Sequence, residues 1–367
     1  MDFAKLKKRY EDFMLPAVNI EVEGKSFGDH KNTMMISDVC VELSSKEEAS
    51  QAVFSVYNCI DGETGEYRMG ALKPYIMLGS QVVVEMGYQS ALEEVFRGFI
   101  ARVEFVNEDN GPCVEVTAMD AKGIMMSNSC SRMLKSISYS KAVREIFSKP
   151  PYQEMKGREI IKKLEIQPTP DERGRPIDMI AESDYEFVTK AAKKFNYEFF
   201  VDKGVVYFRR AKPKGTTMGT LRVGEGLVSY RIGYDIRSLV RQVEVRSIDD
   251  AKGEVLSGKK KFQSKISMGG KAEALLSETE RVYIDAAVCD TQEALYRSES
   301  RMEEMAHRYG NLECECVGIP EFRPGKYVEI AGLQKPADNT FYITEVLHTL
   351  DSVRGYRTKL KGTADSQ

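Results

Sequence analysis

The feature that most constrains this chain is a pattern of apolar residues and glycines that occurs twice. Each copy has a glycine, two alternating apolar residues and a second glycine, then an isoleucine three residues before a valine, and then a further apolar strand. The first copy comprises Gly79, Val82, Val84, Gly87, Ile100, Val103 and residues 114–116, and the second comprises Gly325, Val328, Ile330, Gly332, Ile343, Val346 and residues 356–360. Phe96 and Phe341 each lie just before the isoleucine. Glycines at the ends of strands allow positive φ or the close approach of two backbones.

Two interpretations of this pattern stay open. Any two β-hairpins share alternating apolar residues, because side chains along a strand point in turn to opposite faces. If the pattern is instead a true repeat, one chain contains two similar barrels, and the segment between them separates the copies.

Alternating apolar and polar residues outside the pattern also predict strands. In the first third they occupy residues 18–23, 39–43, 52–57, 81–88, 96–106 and 112–118, and in the last third residues 227–232 and 239–245. Many short strands separated by Gly, Asn and Asp are typical of an antiparallel sandwich or barrel. Phe3, Leu6, Tyr10 and Phe13 have helical spacing instead and predict a short amphipathic arm.

The middle of the chain changes to helical periodicity. Residues 140–148 place four apolar side chains on one helical face. Ser183 and Glu186 have the spacing of a capping box and predict the start of a second helix. Residues 202–204, Asp-Lys-Gly, predict a hairpin turn. Asp290 and Glu293 predict the start of another helix, which runs to about residue 309.

These patterns predict a mainly β protein with α+β elements. We expect a first tube-like β-barrel domain at residues 1–130 and an α/β domain at residues 131–220. A second tube-like β-barrel domain is expected from residues 221–247 and 317–367. Between these two parts, residues 248–316 are expected to form an inserted region of loop and helix. Its lysine-rich stretch, 252–271, is predicted to be a solvated loop.

Composition excludes several classes of protein. The 53 Lys and Arg residues nearly balance the 56 Asp and Glu residues, which argues against a dedicated nucleic-acid binder. No apolar run approaches the roughly 18 residues that a membrane span needs. The N-terminal residues lack the apolar block of a secretory signal peptide, so synthesis in the cytoplasm is expected. Seven irregularly spaced cysteines without a C-x-x-C pair argue against a disulfide framework.

One serine fits a hydrolase motif, but its context favours a turn. Residues 24–28 match G-x-S-x-G with Ser26 in the centre, and a nucleophile elbow needs a helix directly after the serine. Residues 29–33 lack helical periodicity, so a hairpin turn is the favoured interpretation. A phosphate-binding loop would need glycine at Asn19, so that interpretation fails.

His307, Cys314 and Cys316 are the strongest metal-ligand candidates, and they also favour a structural interpretation. The two cysteines alternate with Glu313 and Glu315, which predicts a strand with its cysteines in the core. No fourth ligand is evident. The sequence therefore predicts no catalytic residue, no cofactor site and no metal site, and it favours a structural protein.

The residues that follow carry a resemblance to a known family. Residues 182–187, 192–200 and 202–208 resemble the middle of the phage late-control D family. Residues 318–325, 328–330 and 342–346 resemble its C-terminal barrel, and residues 79–103 are similar to its first barrel. The chain is also similar to the N-terminal part of valine–glycine repeat spike proteins of type VI secretion.

The resemblance implies a non-enzymatic baseplate hub of a contractile tail, tailocin or injection system. It implies a homotrimer with two barrels per chain, which presents six similar binding positions to a hexameric tail tube and three to a trimeric spike. The expected partners are the tube ring, the spike, which would be a separate protein, and baseplate wedge proteins, with no small-molecule substrate and no specific nucleic acid. The expected location is a phage-tail-like particle.

Two other functions stay open. One is a hydrolase that uses Ser26 against cell-wall or ester substrates. The other is a stand-alone binding module made of two β-barrels.

Overall fold

The computed structural model describes residues 2–27, 34–89, 91–108, 111–172, 176–212, 215, 217–249, 252–263 and 270–366. In these residues the chain forms 21 β-strands and eight α-helices, so the predicted mainly β class with α+β elements is confirmed. Among the helices of the described ranges, none combines the length and apolar character needed to cross a membrane.

Seven strands form the unit that we call the first module. They are β1 (Pro16–Val22), β2 (Lys25–Ser26), β3 (Met35–Ser44), β4 (Gln51–Tyr57), β5 (Gln81–Tyr88), β6 (Ala91–Glu108) and β7 (Gly111–Met119). They pair in the order β3-β4-β7-β6-β5-β1-β2, and every neighbouring pair is antiparallel. The short helix α2 (Met69–Ile76) lies in the connection from β4 to β5.

Six strands form the second module. They are β13 (Thr217–Val223), β14 (Gly226–Tyr234), β18 (Gly310–Val317), β19 (Tyr327–Ala331), β20 (Asn339–Asp351) and β21 (Gly355–Ala364). They close a barrel in the order β13-β14-β18-β21-β20-β19, and β19 returns to β13. β13 is parallel to both of its neighbours, whereas the other pairs of this barrel are antiparallel.

One hydrophobic core runs through both modules. It contains Phe54 and Val116 of the first module together with Ile343 and Leu360 of the second, each at most 1% exposed. The core is continuous because β3 pairs with β20 and joins the two modules into one 13-stranded sheet. The modules therefore fold as one body.

The N-terminal arm crosses both modules, and its predicted helix is confirmed. Helix α1 spans Phe3–Arg9, and a 3-10 turn follows at Glu11–Phe13. Tyr10 is fully buried against Tyr88 of the first module, and its hydroxyl donates to Glu321 of the second at 2.7 Å.

In the sequence between β7 and β13, the chain forms an α/β domain with its own core. Its elements are α3 (Lys122–Met125), β8 (Cys130–Leu134), α4 (Tyr139–Ile146), α5 (Pro150–Gly157), β9 (Lys163–Ile166), β10 (Ile177–Glu182), α6 (Asp184–Lys194), β11 (Tyr197–Asp202) and β12 (Val205–Arg210). The predicted capping box at the start of α6 is confirmed, because Ser183 and Glu186 bond reciprocally to each other's backbone amides. The predicted hairpin is confirmed by the pairing of Asp202 with Val205.

A second small domain is inserted between β14 and β18. Its elements are β15 (Gln242–Asp249), β16 (Glu254–Lys261), α7 (Gly270–Leu276), β17 (Glu280–Ile284) and α8 (Thr291–Ala306). Three strands pair in the order β16-β15-β17, and α8 packs on β15 and β16. Helix α8 begins at the predicted cap, since the carboxylate of Asp290 accepts from the amide of Glu293.

The structure differs from the sequence-based expectations at three places in this region. β15 was expected in the second barrel but pairs within the insertion, and β18 belongs to the barrel although residues up to 316 were expected in the insertion. Alternation shows that a strand exists and does not show its partner, and the partners here are distant in sequence. The third difference is β16, which occupies part of the stretch expected to be a solvated loop. Its lysines suit a strand because Lys260 pairs with Glu299 and Lys259 with Glu244. Residues 264–269 of that stretch lie outside the described residues.

Candidate assembly interface

The two copies of the sequence pattern adopt the same backbone geometry. Gly79 and Gly325 both have positive φ, +81° and +78°. The amide of Gly79 donates to the carbonyl of Ile100 at 2.8 Å, and the amide of Gly325 donates to the carbonyl of Ile343 at 2.9 Å. Each isoleucine amide then donates to the carbonyl of the residue after the glycine, at 2.9 and 2.8 Å. The same closed pair of bonds at matching positions supports a true repeat.

A β-bulge explains the spacing from isoleucine to valine. Residues three apart on a regular strand point to opposite faces. Both long strands have a register shift directly after the isoleucine, between Ile100 and Arg102 and between Ile343 and Glu345. The extra residue turns the following valine back to the core, where Val346 is 1% exposed.

The strand order repeats as well. The first module contains β3-β4-β7-β6-β5 and the second contains β14-β18-β21-β20-β19, with every pair antiparallel in both. Residues that pair across these strands can therefore be matched one to one. Ile100 pairs with Ala118 as Ile343 pairs with Gly362. The pattern is a true repeat of five strands.

The two phenylalanines in the pattern do not occupy matching positions. Phe341 lies two residues before its isoleucine, and the matching residue in the first module is Gly98. A Cβ on Gly98 would lie 2.7 Å from the ring of Phe96. The ring of Phe96 thus lies against Gly98.

Inside the chain, the edge of β3 is occupied. Residues 39–44 of β3 pair with residues 345–350 of β20 in antiparallel register. Val39, Val41 and Leu43 lie on the core face of β3 and are at most 3% exposed. This junction is continuous with the sheet, so backbone groups at the edge of the first module have partners.

His348 of β20 is a buried polar group at this junction. Its Nε2 lies 3.1 Å from the carbonyl oxygen of Phe322, and its Nδ1 lies 2.9 Å from the hydroxyl of Tyr356. A neutral ring with its proton on Nε2 satisfies both, because Nε2 donates to the carbonyl and Nδ1 accepts from the tyrosine. Full burial lowers the pKa of His348 to about 3, which keeps the ring neutral.

The edges of β14 and β6 match the edges of β3 and β20 at this junction, and in the described residues they have no partner strand. β14 matches β3, but β13 pairs with it only at Gly226 and Leu227, and residues 230–235 are open on that side. β6 matches β20, and β5 pairs with it only as far as Phe99, so residues 102–107 bond only to β7. Tyr230, which matches Val39, is 46% exposed, and Phe105, which matches His348, is 50% exposed. We call residues 230–235 and 102–107 the two open edges.

The α/β domain contacts both modules, and one pair of matching residues takes part in both contacts. Phe99, directly before Ile100, is 7% exposed in the core of the α/β domain. Its match Tyr342 bonds through its hydroxyl to the carboxylate of Glu198 on β11. Arg209 donates to the other oxygen of Glu198 at 2.8 Å and to the carbonyl of Gly325 at 2.9 Å. Burial raises the pKa of Glu198, and the Arg209 guanidinium opposes that shift.

The structure places the sequence-based candidates for chemistry as follows. Ser26 lies in the short strand β2, paired with β1 in a tight hairpin, and its hydroxyl donates to Asn19 at 2.6 Å. The helix that a nucleophile elbow needs is not among the described elements after Phe27, and residues 28–33 lie outside them. Cys314 and Cys316 are core residues of β18, 5% and 0% exposed, and burial raises the pKa of Cys314 to about 12. His307 lies at the end of α8.

Sequence reasoning missed the open edges. The available signal was the alternation of Tyr230, Ile232 and Tyr234, which has the apolar spacing of Val39, Val41 and Leu43. Alternation alone could not show that one row is covered by a strand and the other is not.

Comparison with known proteins adds a family and a fold. A family model described as the Alg8 N-terminal domain matches residues 15–352. Among curated proteins, no match was found.

Solved structures of phage tail proteins have the same fold. The 43 kDa tail protein of prophage MuSo2 from Shewanella oneidensis aligns with a TM-score of 0.69 and 12% identity, over 95% of this chain and 98% of that one. A tail protein from Neisseria meningitidis MC58 aligns with a TM-score of 0.68 and 14% identity, over 96% and 97%. The E. coli c3393 protein, a component of the type VI secretion system, aligns with a TM-score of 0.58 and 12% identity, over 94% and 76%.

Proposed function

We propose that this chain, which belongs to the family described as the Alg8 N-terminal domain, is a structural, non-enzymatic hub of a contractile-tail or injection-system baseplate. In this role a homotrimer joins a hexameric tail tube to a trimeric spike. Membership of the late-control D family stays a prediction.

The duplicated module carries this proposal. A closed ring of three chains that each hold two similar modules has six similar positions. Such a ring can match a sixfold partner on one side and a threefold partner on the other. A duplicated fold with one shared core is what this conversion of symmetry requires, and the matching hydrogen bonds of Gly79 and Gly325 support a real duplication.

The two ends of the joined sheet differ in the way this proposal needs. The strand ends at Glu108 and Gly111, where β6 and β7 pair, match those at Asp351 and Gly355, where β20 and β21 pair, and both pairs of ends lie at the same end of the sheet. Three chains would present six such pairs of strand ends at this end, which we call the turn end. The other end differs between modules, since a short connection, residues 45–50, follows β3, whereas the whole insertion follows β14. We assign the turn end to the tube and the other end to the spike.

The comparisons support the proposal at the level of fold. The two aligned proteins from Shewanella oneidensis and Neisseria meningitidis are named as tail proteins, and both cover nearly all of this chain. The expected location is therefore the baseplate of a phage-tail-like particle, where wedge proteins are further partners.

Imaging of purified particles by electron cryo-microscopy tests the proposal. We expect three copies of the chain at the end of the tail tube, each contributing two module densities to a six-part ring. Particles from cells without this gene should lack the spike. Density elsewhere in the particle, six copies of the chain, or unaffected spikes in the deletion strain would contradict the hub assignment.

The two remaining functions have their own tests. A Ser26 hydrolase predicts that the protein cleaves ester or cell-wall substrates and that Ser26→Ala abolishes the cleavage. A stand-alone binding module predicts a monomer inside the purified particle, where the hub predicts a trimer.

A further inference from the structure

We propose that the open edge of β14 in one copy pairs with the open edge of β6 in the next copy, as an antiparallel β-ladder that continues the sheet from chain to chain. This inference rests on the proposed function, since it needs several copies in one ring. It adds the contacting strands and their register.

The long strand β20 changes partners along one edge. β20 pairs with β19 up to Tyr342, and along the same edge β3 takes over from Glu345. β6 pairs with β5 up to Phe99, and in the described residues no strand takes over from Arg102. The register shift of β20, at the point where its partner changes, is also present at the matching point of β6. The backbone of β6 therefore has the geometry that receives a strand in β20, and the described residues of its own chain do not supply that strand.

The missing strand has to match β3, and the strand that matches β3 is β14. In its own chain β14 cannot reach β6, because β3 and β20 already join the modules at the other side. A second copy supplies it. Each copy offers one open edge of each kind, so the contact is head-to-tail, the kind that forms a ring when the rotation between copies closes.

Exposure supports a second copy as the occupant. Val39 and His348, at the junction where β3 pairs with β20, are 1% and 0% exposed, whereas their matches Tyr230 and Phe105 are 46% and 50% exposed. Long apolar edges without a partner are a liability that proteins usually cover. A copy of the same module is the partner whose shape these edges already fit inside the chain.

The repeat also fixes the register. In the chain, Glu345 lies opposite Ser44, His348 opposite Val41 and Leu350 opposite Val39. The matching pairs across copies are Arg102 with Asp235, Phe105 with Ile232 and Asn107 with Tyr230. The first of these places opposite charges face to face, which favours this register over a shift by two.

Disulfide trapping tests the register. The pair Val106→Cys with Arg231→Cys lies opposite in the proposed ladder, where facing Cα atoms are about 4.5 to 5.5 Å apart, within the range that a disulfide spans. The background carries Cys289→Ser, because Cys289 is exposed. We expect covalent dimers and trimers on non-reducing gels of purified particles, and none from either single variant.

The chain offers a matched geometric control. The same position inside the chain is Cys40 opposite Thr349, so Thr349→Cys should form an intramolecular disulfide with native Cys40. The register control is Val106→Cys with Gly233→Cys, whose residues are offset by two in the ladder. It should give only a small fraction of the cross-linked product of the aligned pair.

A charge exchange gives an independent test. Arg102→Glu should reduce incorporation of the chain into particles, and Asp235→Lys added to it should restore incorporation. The side chain of Arg102 is 64% exposed, so Arg102→Glu should leave the melting temperature of the folded monomer close to that of the wild type. Asp235 is 34% exposed and pairs with Arg237 of its own chain, so the melting temperature of the double variant is measured beside its incorporation.

The outcomes separate this inference from the proposed function. Two outcomes with three copies in the particle would overturn the ladder and leave the hub intact. One is cross-linking in the offset pair. The other is no cross-linking in the aligned pair while Thr349→Cys forms its intramolecular disulfide. Absence of the chain from the particle would overturn both. Trimer bands from the aligned pair alone would support both.

Discussion

The two modules share five strands, a glycine turn and a bulge, yet they differ in what covers them. The edge of β3 pairs with β20 of the same chain, whereas on the matching strand β14 Tyr230 is 46% exposed and Ile232 is only partly buried. The connection after β3 is short and is held down by the buried amine of Lys122, which donates to the carbonyls of Lys46 and Glu48. The matching connection after β14 holds a separate domain. Duplication thus preserved the barrel geometry, and the differences lie where one copy meets something else.

The largest effect should come from a charge on the sealed edge. Val39→Asp places a carboxylate at a position that is 1% exposed. We expect a loss of about 4 kcal/mol or more in the free energy of unfolding, because a buried charge without a partner is costly. Chemical denaturation of the purified chain measures it.

Tyr230→Asp is the matched change on the open edge. It should alter the stability of the isolated chain by about 1 kcal/mol or less, as for surface positions, while it reduces incorporation into particles. Equal destabilisation by the two substitutions would show that the edges do not differ in the isolated chain.

The matching aromatic residues before each isoleucine should differ next. Phe99→Ala removes a ring from the core of the α/β domain, and we expect a cost of about 3 to 4 kcal/mol. Tyr342→Phe removes only the hydroxyl bonded to Glu198 and should cost about 1.5 to 3 kcal/mol. Thermal unfolding compares the two, and a larger loss for Tyr342→Phe would contradict this view of how the domain is held.

The two turn glycines sharpen the comparison further. Gly79→Ala has open space around the new methyl group and should cost about 1 to 2 kcal/mol for positive φ alone. Gly325→Ala should cost more, because its Cβ would lie 2.7 Å from the ring of Phe200. Gly62→Ala, with open space and no positive φ, is the control and should be nearly neutral. Denaturant midpoints of the three variants order them, and equal values for Gly79 and Gly325 would contradict the expected order.

The pH dependence of stability should also distinguish the two modules. His348 has a pKa of about 3 in the folded chain against 6.5 for the ordinary group, so only the unfolded chain binds its proton between these values. Stability therefore falls as the pH falls from about 6.5 toward 3. His348→Phe, which introduces the residue type found at Phe105, should make the unfolding free energy less dependent on pH between 7 and 4.5. A slope identical to that of the wild type would show that His348 does not titrate as its burial requires.

Much of this architecture could be predicted from local patterns. The capping box at Ser183, the hairpin at Asp202 and the inward cysteines of β18 were predicted, because each depends on residues close in sequence. The repeat was visible as well, although hairpins in general could not be excluded as its cause. The non-enzymatic role and the predicted absence of catalytic, cofactor and metal residues remain predictions.

By itself, the sequence determined where strands and helices form and that a glycine-bounded strand pattern occurs twice, since periodicity and turn residues act over a few neighbours. Only the tertiary structure decided which strands pair, that β15 leaves the barrel while β18 joins it, and that β3 is sealed while β14 is open. Strand pairing joins residues up to about 300 positions apart, as Glu345 and Ser44 show. A strand's own residues record which of its faces is apolar, and they do not record which strand covers its edge.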